Sequence, residues 1–225
     1  MIDIRHFEKN GVVIIPDAVS ESDLERMSEA FSDRHRSRHS GLSGELMDWL
    51  SSNDLLLSLA SKLLGTPAHL VRVLALDKTA EDNWFVPWHQ DRAIAVAAPA
   101  AVKGYANWTF KDGVHHVEPP ATLLEKIVTL RVHLDDCGRD QGPLEIIPAS
   151  HQLGRLEKAE INKLACDGQE IVTLARRGSI VAMRPLIIHR SKKARSKARR
   201  RVLHLEFTAA ELPEPLLWAI YKRAD

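Results

Sequence analysis

The chain has 225 residues, of which 44% are apolar, and its formal net charge is +1. That length and apolar content suit one large domain with a substantial core, and the near-neutral charge excludes bulk electrostatic attraction to nucleic acid or membrane. Two cysteines without a Cys-x-x-Cys pair argue against a zinc module or disulfide framework, and no apolar run approaches the ~18 residues of a membrane span. With no secretory pattern at residues 1–6, the expectation is a soluble, cytoplasmic protein.

Residues 1–68 read as a helical cap with one early strand. The run 11–16, closed by Pro16, is that strand. Ser20 is placed to cap a helix whose apolar face carries Leu24, Met27 and Phe31, with Glu21 and Asp23 at its positive end. Residues 34–43 read as a basic loop and 45–50 as a short helix. Residues 53–64 form a stronger helix, closed by Gly65 and followed by Pro67. From residue 69 the period changes. Short β-rich runs at 70–76, 94–97, 127–134, 144–147, 171–174, 180–183 and 202–207, separated by Gly, Pro and Asp, predict a sandwich or barrel over 69–210. In 127–134 one face carries Val128, Leu130, Val132 and Leu134, and the other Thr129, Arg131 and His133. A strand of this kind is expected to line a solvated cavity or to meet solvent. Residues 98–122 lack periodicity and read as a long loop or lid, in which Trp108 and Tyr105 are candidates for contact with substrate.

The segment 84–91, Trp-Phe-Val-Pro-Trp-His-Gln-Asp, carries the chemistry. His89 and Asp91 share one face of a regular strand, and a distant His189 ends the apolar run 183–188. Two histidines and one carboxylate form a facial triad, which holds Fe(II) on one side and leaves the other open. The chain contains three further His-x-Asp/Glu pairs, His116–Glu118, His133–Asp135 and His204–Glu206. The first lacks strand context and the last lies mid-strand. His133–Asp135 is the rival, on a polar strand face. The favoured ligands are His89, Asp91 and His189, with a set using His133, or no metal, as alternatives.

Four motifs in order resemble those of the phytanoyl-CoA dioxygenase family. They are the opening Phe7…Gly11…Pro16; Pro87-Trp88-His89-Gln90-Asp91; the turn Gly142-Pro143-Leu144…Pro148-Ala149-Ser150-His151; and His189-Arg190-Ser191 followed by Ser196 and Arg200. Ala149 stands where the family usually has Gly, which implies a strained turn, and Ala194 where many members have Asn. The resemblance implies a mainly β fold: a double-stranded β-helix (jelly-roll, cupin-like) core with N-terminal helices packed outside. It implies Fe(II) on His89, Asp91 and His189, with 2-oxoglutarate as cosubstrate, its far carboxylate held by Arg200 with help from Ser191. A planar guanidinium suits that task. Arg201 remains open as the anchor, because its parity differs from that of Arg200. Trp108 is expected to wall the cosubstrate site, and Arg131 and Lys78 to reach cosubstrate or substrate.

The implied activity is hydroxylation of a small molecule with O₂, releasing succinate and CO₂. Related halogenases lack the carboxylate that Asp91 supplies, so its presence favours hydroxylation. Two other classes compete. The basic run 190–201 raises a nucleic-acid-modifying oxygenase, although no aromatic residue interleaves it. A non-catalytic jelly-roll binding protein is the other. The residues leave substrate identity and oligomeric state open.

Overall fold

The computed structural model describes residues 2–32, 38–39 and 42–221. In chain order its strands are β1 (Val12–Ile15), β2 (Arg38–His39), β3 (His69–Lys78), β4 (Val86–His89), β5 (Ile94–Val96), β6 (Ala106–Lys111), β7 (Val114–Glu118), β8 (Ile127–His133), β9 (Leu144–Ile147), β10 (Ile171–Thr173), β11 (Ile180–Met183), β12 (Ile188–Ser191) and β13 (Arg200–Thr208). The α-helices are α1 (Ile4–Asn10), α2 (Glu21–Ser28), α3 (Gly44–Ser52), α4 (Asp54–Leu64), α5 (Ala121–Leu124) and α6 (Lys158–Asp167). A major sheet runs β1-β11-β8-β13-β3-β2, a minor sheet runs β10-β9-β12-β4, and a third runs β5-β7-β6.

The major and minor sheets make up the double-stranded β-helix. Strand parity divides the major sheet into two faces. Leu130, Val132, Leu203, Leu205 and Phe207 point outward and bury against Phe7, Leu24, Met27, Leu50, Leu56 and Leu59 of the N-terminal helices. Burying each such side chain stabilises the fold by about 1.5–3 kcal/mol. The opposite parity turns Thr129, Arg131, His133, Arg200, His204 and Glu206 inward, and all are nevertheless buried. This face therefore lines an enclosed polar interior rather than meeting bulk solvent.

Local signals account for the helices. Ser20 caps α2 by accepting from the Asp23 amide, and Asn53 caps α4 through the Leu56 amide. Gly65 ends α4 in the left-handed conformation at φ +71°, which costs a glycine little. Phe31 is buried as expected, but in a 3-10 turn beyond α2.

Several expectations need correction. Residues 98–122 are not one loop. They contain β6 and β7, which pair with β5 into the third sheet. A register shift between Ala106 and Thr109 and the exposure of β6 hid the alternation. His116 and Glu118 accordingly lie on a strand. Within the expected basic loop 34–43, residues 34–37, 40 and 41 lie outside the described residues, and Arg38–His39 pair with β3. Helix α6 was not among the expected elements; its buried residue is Ile161. No described helix is long and apolar enough to cross a membrane.

Candidate metal and cosubstrate site

Strands β4 and β12 are antiparallel neighbours, and His89 and His189 are direct cross-strand partners. Their rings lie 4.2 Å apart. Asp91 follows β4, its amide held by the Pro185 carbonyl at 2.9 Å. Its two carboxylate oxygens lie 3.5 Å from His89 Nε2 and 3.6 Å from His189 Nε2. One ligand atom from each residue falls within 4.8 Å of the others. The three residues favoured from sequence are thus brought together, on the inner face of the minor sheet.

The tautomers favour a metal. His89 Nδ1 lies 2.9 Å from the Pro87 carbonyl and 3.0 Å from that of His189; His189 Nδ1 lies 2.9 Å from the Ile187 carbonyl. Carbonyls only accept, so each Nδ1 carries its proton and each Nε2 faces Asp91. Burial lowers the His89 pKa, but the hydrogen bond to Asp91 and its charge outweigh burial and raise it, so in the metal-free protein His89 Nε2 donates to that carboxylate. Burial and the neighbouring His89 push the His189 pKa down to about 4, keeping it neutral at physiological pH. For Asp91 burial acts upward, but His189 and the hydrogen bond from His89 outweigh it and hold the carboxyl well below its usual range. A divalent cation would displace the proton that His89 shares with Asp91 and meet two neutral imidazoles and an ionised carboxylate.

Two residues that the sequence motifs contain without an assigned role position these ligands. Gln90, between two of them, donates to the Gly154 and Leu186 carbonyls at 2.8 and 2.7 Å and accepts from the Leu156 amide at 2.9 Å. Ser150 donates to the Ile147 carbonyl and accepts from the Ile188 amide at 2.8 Å, fixing the residue before His189. Ala149 adopts φ +63°, the strained conformation expected of its turn. A Cβ on Gly11 would lie 2.4 Å from His151 Nδ1, so two of the separated motifs meet in space. Nothing but a side chain–main chain bonding pattern distinguishes Gln90 and Ser150, and that is invisible without partners.

The site opens into a cavity of about 240 Å³ between the sheets, lined by His89, Asp91, His189, Arg131, Ser191 and Arg200 among others. Arg200 is only 2% exposed, and one of its terminal nitrogens donates to the Gly142 carbonyl at 3.2 Å. Ser191 Oγ donates to the same carbonyl and accepts from Lys78 Nζ, both at 2.9 Å. Burial, then the charge of Arg200, pushes the Lys78 pKa down to about 7. Buried Nε atoms of both Arg131 and Arg200 lack a protein partner. Three buried cationic groups with unused donors fit a dianion such as 2-oxoglutarate, because an orphaned buried donor is costly until it finds an acceptor.

Arg201 faces the other way and forms a two-bond pair with Asp135 at 2.7 and 2.9 Å. That pairing removes Asp135 from the rival His133 set. His133 is buried, and burial followed by Arg131 and Arg200 pushes its pKa down to about 3. Trp108 does not line this cavity. Thr109 and Lys111, of the opposite parity on β6, do, while Trp108 packs with Tyr105 against the cluster around Ile94 and Val117. The indole on the cavity wall is Trp84. The basic run 190–201 is largely engaged internally. Arg190 pairs with Glu145 and Glu170 and stacks on Trp88, Lys192 pairs with Glu145, and Arg199 with Asp77. Asn83 clamps both the amide and the carbonyl of Ala194.

A family model described as phytanoyl-CoA dioxygenase matches residues 7–202. A curated L-proline trans-4-hydroxylase of Streptomyces griseoviridis is 29% identical over 178 residues, covering 68% of this chain and 59% of that protein. The chain thus spans about three fifths of that relative. Among solved structures, AviO1 from Streptomyces viridochromogenes Tue57 superposes with a TM-score of 0.68 at 20% identity, covering 94% of this chain and 96% of that one. HygX from Streptomyces hygroscopicus, with nickel, 2-oxoglutarate and hygromycin B bound, gives 0.61 at 16% identity, covering 90% and 84%. These likenesses establish the fold expected from sequence.

Proposed function

Because the chain belongs to the phytanoyl-CoA dioxygenase family, we propose that it is a non-haem Fe(II)- and 2-oxoglutarate-dependent dioxygenase that hydroxylates a small molecule, releasing succinate and CO₂. The observation that carries this reading is the convergence of His89, Asp91 and His189, with both Nδ1 protons directed away from the common point. When bound, iron and cosubstrate supply the activation of O₂. The chain's residues do the rest. His89 and His189 present Nε2, and Asp91 supplies the third donor and one negative charge. Arg200 anchors the far carboxylate of the cosubstrate, Ser191 orients that end, and Lys78 adds charge beside it. Arg131 lies on the inner face between this anchor and the ligands. Gln90 and Ser150 hold the ligand-bearing backbone.

The family match supports residues 1–225 acting as one oxygenase domain, a cap over 1–68 on a core over 69–210. Fe(II) persists where thiols stay reduced, which supports a cytoplasmic setting. The likeness to a proline hydroxylase makes small carboxylic acids, with and without an α-amino group, the first compounds to screen.

The test is an anaerobic visible spectrum of the purified protein with Fe(II) and 2-oxoglutarate. A weak charge-transfer band in the wild type, lost in His89→Ala, is expected. A wild type that gives no band and binds no 2-oxoglutarate would leave the non-catalytic jelly-roll reading in its place.

A further inference from the structure

The interior face of the major sheet has two cationic poles, and the cosubstrate can occupy only one. Register pairs Lys78 with Arg200 at one end of β3–β13 and Arg72 with Glu206 at the other. Six residues separate Arg200 from Glu206, about 20 Å at about 3.4 Å per residue. A five-carbon diacid spans roughly 7 Å between its terminal oxygens by ordinary bond lengths. A cosubstrate anchored at Arg200 therefore ends near the metal ligands and leaves the Arg72 pole untouched.

That second pole belongs to the same cavity. Arg72, Arg38, Lys111 and His116 line it, and all four also line an adjoining outer chamber. Arg72 donates to Glu206 at 2.9 Å, and one terminal nitrogen lies 3.5 Å from His116 Nε2. Arginine only donates, so His116 Nε2 accepts, and its Nδ1 proton goes to the Val114 carbonyl at 3.1 Å. His116 is thus neutral, and burial followed by Arg72 keeps it so. Arg92 also lines the cavity, backed by Glu118 at 2.9 Å.

The charge balance decides the ligand. Asp91 is the sole carboxylate among the described residues lining the inner cavity. Glu206 and Glu118 are each held by an arginine, and Asp91 is committed to the proposed metal. Glu206 compensates Arg72 in turn, so the uncompensated charge at this pole is that of Lys111: an incoming ammonium would find no acceptor of its own in the inner cavity, whereas an acid would meet Lys111 with the remaining donors of Arg72 beside it. Lys111 is exposed on β6 and lines the outer chamber together with Asp48 and Asp112.

We propose that the substrate is a small organic acid without an α-ammonium group, its carboxylate received by Arg72 and Lys111 at the end of the cavity opposite Arg200. This rests on the Fe(II)/2-oxoglutarate reading and names the substrate class of that site. The acid enters through the outer chamber, its charge is held at the junction, and its carbon chain extends inward toward the metal ligands.

Three probes of equal chain length test this: hexanoate, hexanamide and norleucine. Each is titrated anaerobically into the Fe(II)/2-oxoglutarate protein and followed both by the charge-transfer band and by calorimetry. Hexanoate is expected to bind about tenfold more tightly than either alternative, the scale of one charge-assisted pair. Lys111→Gln and the paired change Arg72→Met/Glu206→Gln should each weaken hexanoate at least about fivefold and leave hexanamide unmoved. Equal binding of acid and amide, no binding of hexanoate, or displacement of 2-oxoglutarate by hexanoate overturns the proposal. A wild type without the band that still binds hexanoate in a Lys111-dependent way sinks the oxygenase reading and spares the acid pole.

Discussion

Replacing Arg200 by Met tests the cosubstrate anchor most directly. Arg200 is buried, and its neighbour across the sheet is Lys78. A guanidinium gripping a carboxylate by two charge-assisted bonds contributes about 3 kcal/mol, which is about a hundredfold in Kd. Part of that returns. Arg200 is the second-largest influence depressing the Lys78 pKa, after burial, so its loss raises the charged fraction of Lys78 beside the same carboxylate. The expected weakening of 2-oxoglutarate binding is therefore roughly thirty- to hundredfold at neutral pH. Fold integrity should survive, because the Gly142 carbonyl keeps its bond from Ser191. Arg200→Lys retains charge without the fork and should lose about tenfold. The assay is anaerobic titration of 2-oxoglutarate into the Fe(II) protein, with Arg201→Met as control. A change below about threefold in Arg200→Met, or a larger one in Arg201→Met, would refute the assignment.

Lys78 gives a pH prediction. Its folded pKa of about 7 lies below its ordinary value, so the free protein loses this charge as pH rises through neutrality. A bound dianion favours the charged form, so binding takes up a proton above pH ~7 and 2-oxoglutarate affinity falls as pH rises; a pH-independent Kd, or the same slope in Lys78→Met, would remove Lys78 from the site. Ala149→Gly should relieve the left-handed strain at φ +63° and stabilise the protein by about 1 kcal/mol, read as a higher Tm; an unchanged or lower Tm contradicts the strain. Gln90→Leu strands two buried carbonyls and one amide. It should cost about 3 kcal/mol in denaturant unfolding and weaken Fe(II) binding, and a wild-type midpoint would show that these bonds do not hold the ligands. Gly142→Ala would place a Cβ 2.5 Å from the Lys192 carbonyl and 3.3 Å from Lys78 Nζ at φ +64°, so both stability and 2-oxoglutarate affinity should drop. Unaltered affinity would mean that this turn does not shape the anchor.

Much of this was legible because strand parity is strict. The alternation in 127–134 put Arg131 on the polar face, with cavity and solvent both open as what that face meets, and the parity of 200–206 set Arg200 and Arg201 on opposite faces without settling which is the anchor. The pairing of His89 with His189 was legible only through chain order and motif spacing, since partners a hundred residues apart leave no local periodicity. Of the sheet β5-β7-β6, only β5 was legible, as the run 94–97. Strands β6 and β7 are short and mostly exposed or half-buried, and a register shift interrupts their pairing, so packing rather than pattern decides them. The placement of Trp108 followed from that miss, because a residue in a supposed loop has no face. The second cationic pole was hidden for a related reason: Arg72, His116 and Lys111 come from three strands, and each reads alone as a solvated side chain.

The cross-strand pairing of His89 with His189 has a mechanical consequence. Strand β4 is the outermost strand of the minor sheet and has four residues, hydrogen-bonded to β12 alone. Such a margin frays readily and offers its unpaired backbone to other chains. A divalent ion bridging the two imidazoles would rivet this margin to its neighbour at its final residue. Metal loading would then guard the protein against edge-to-edge aggregation, and the empty protein would be the species most exposed to it.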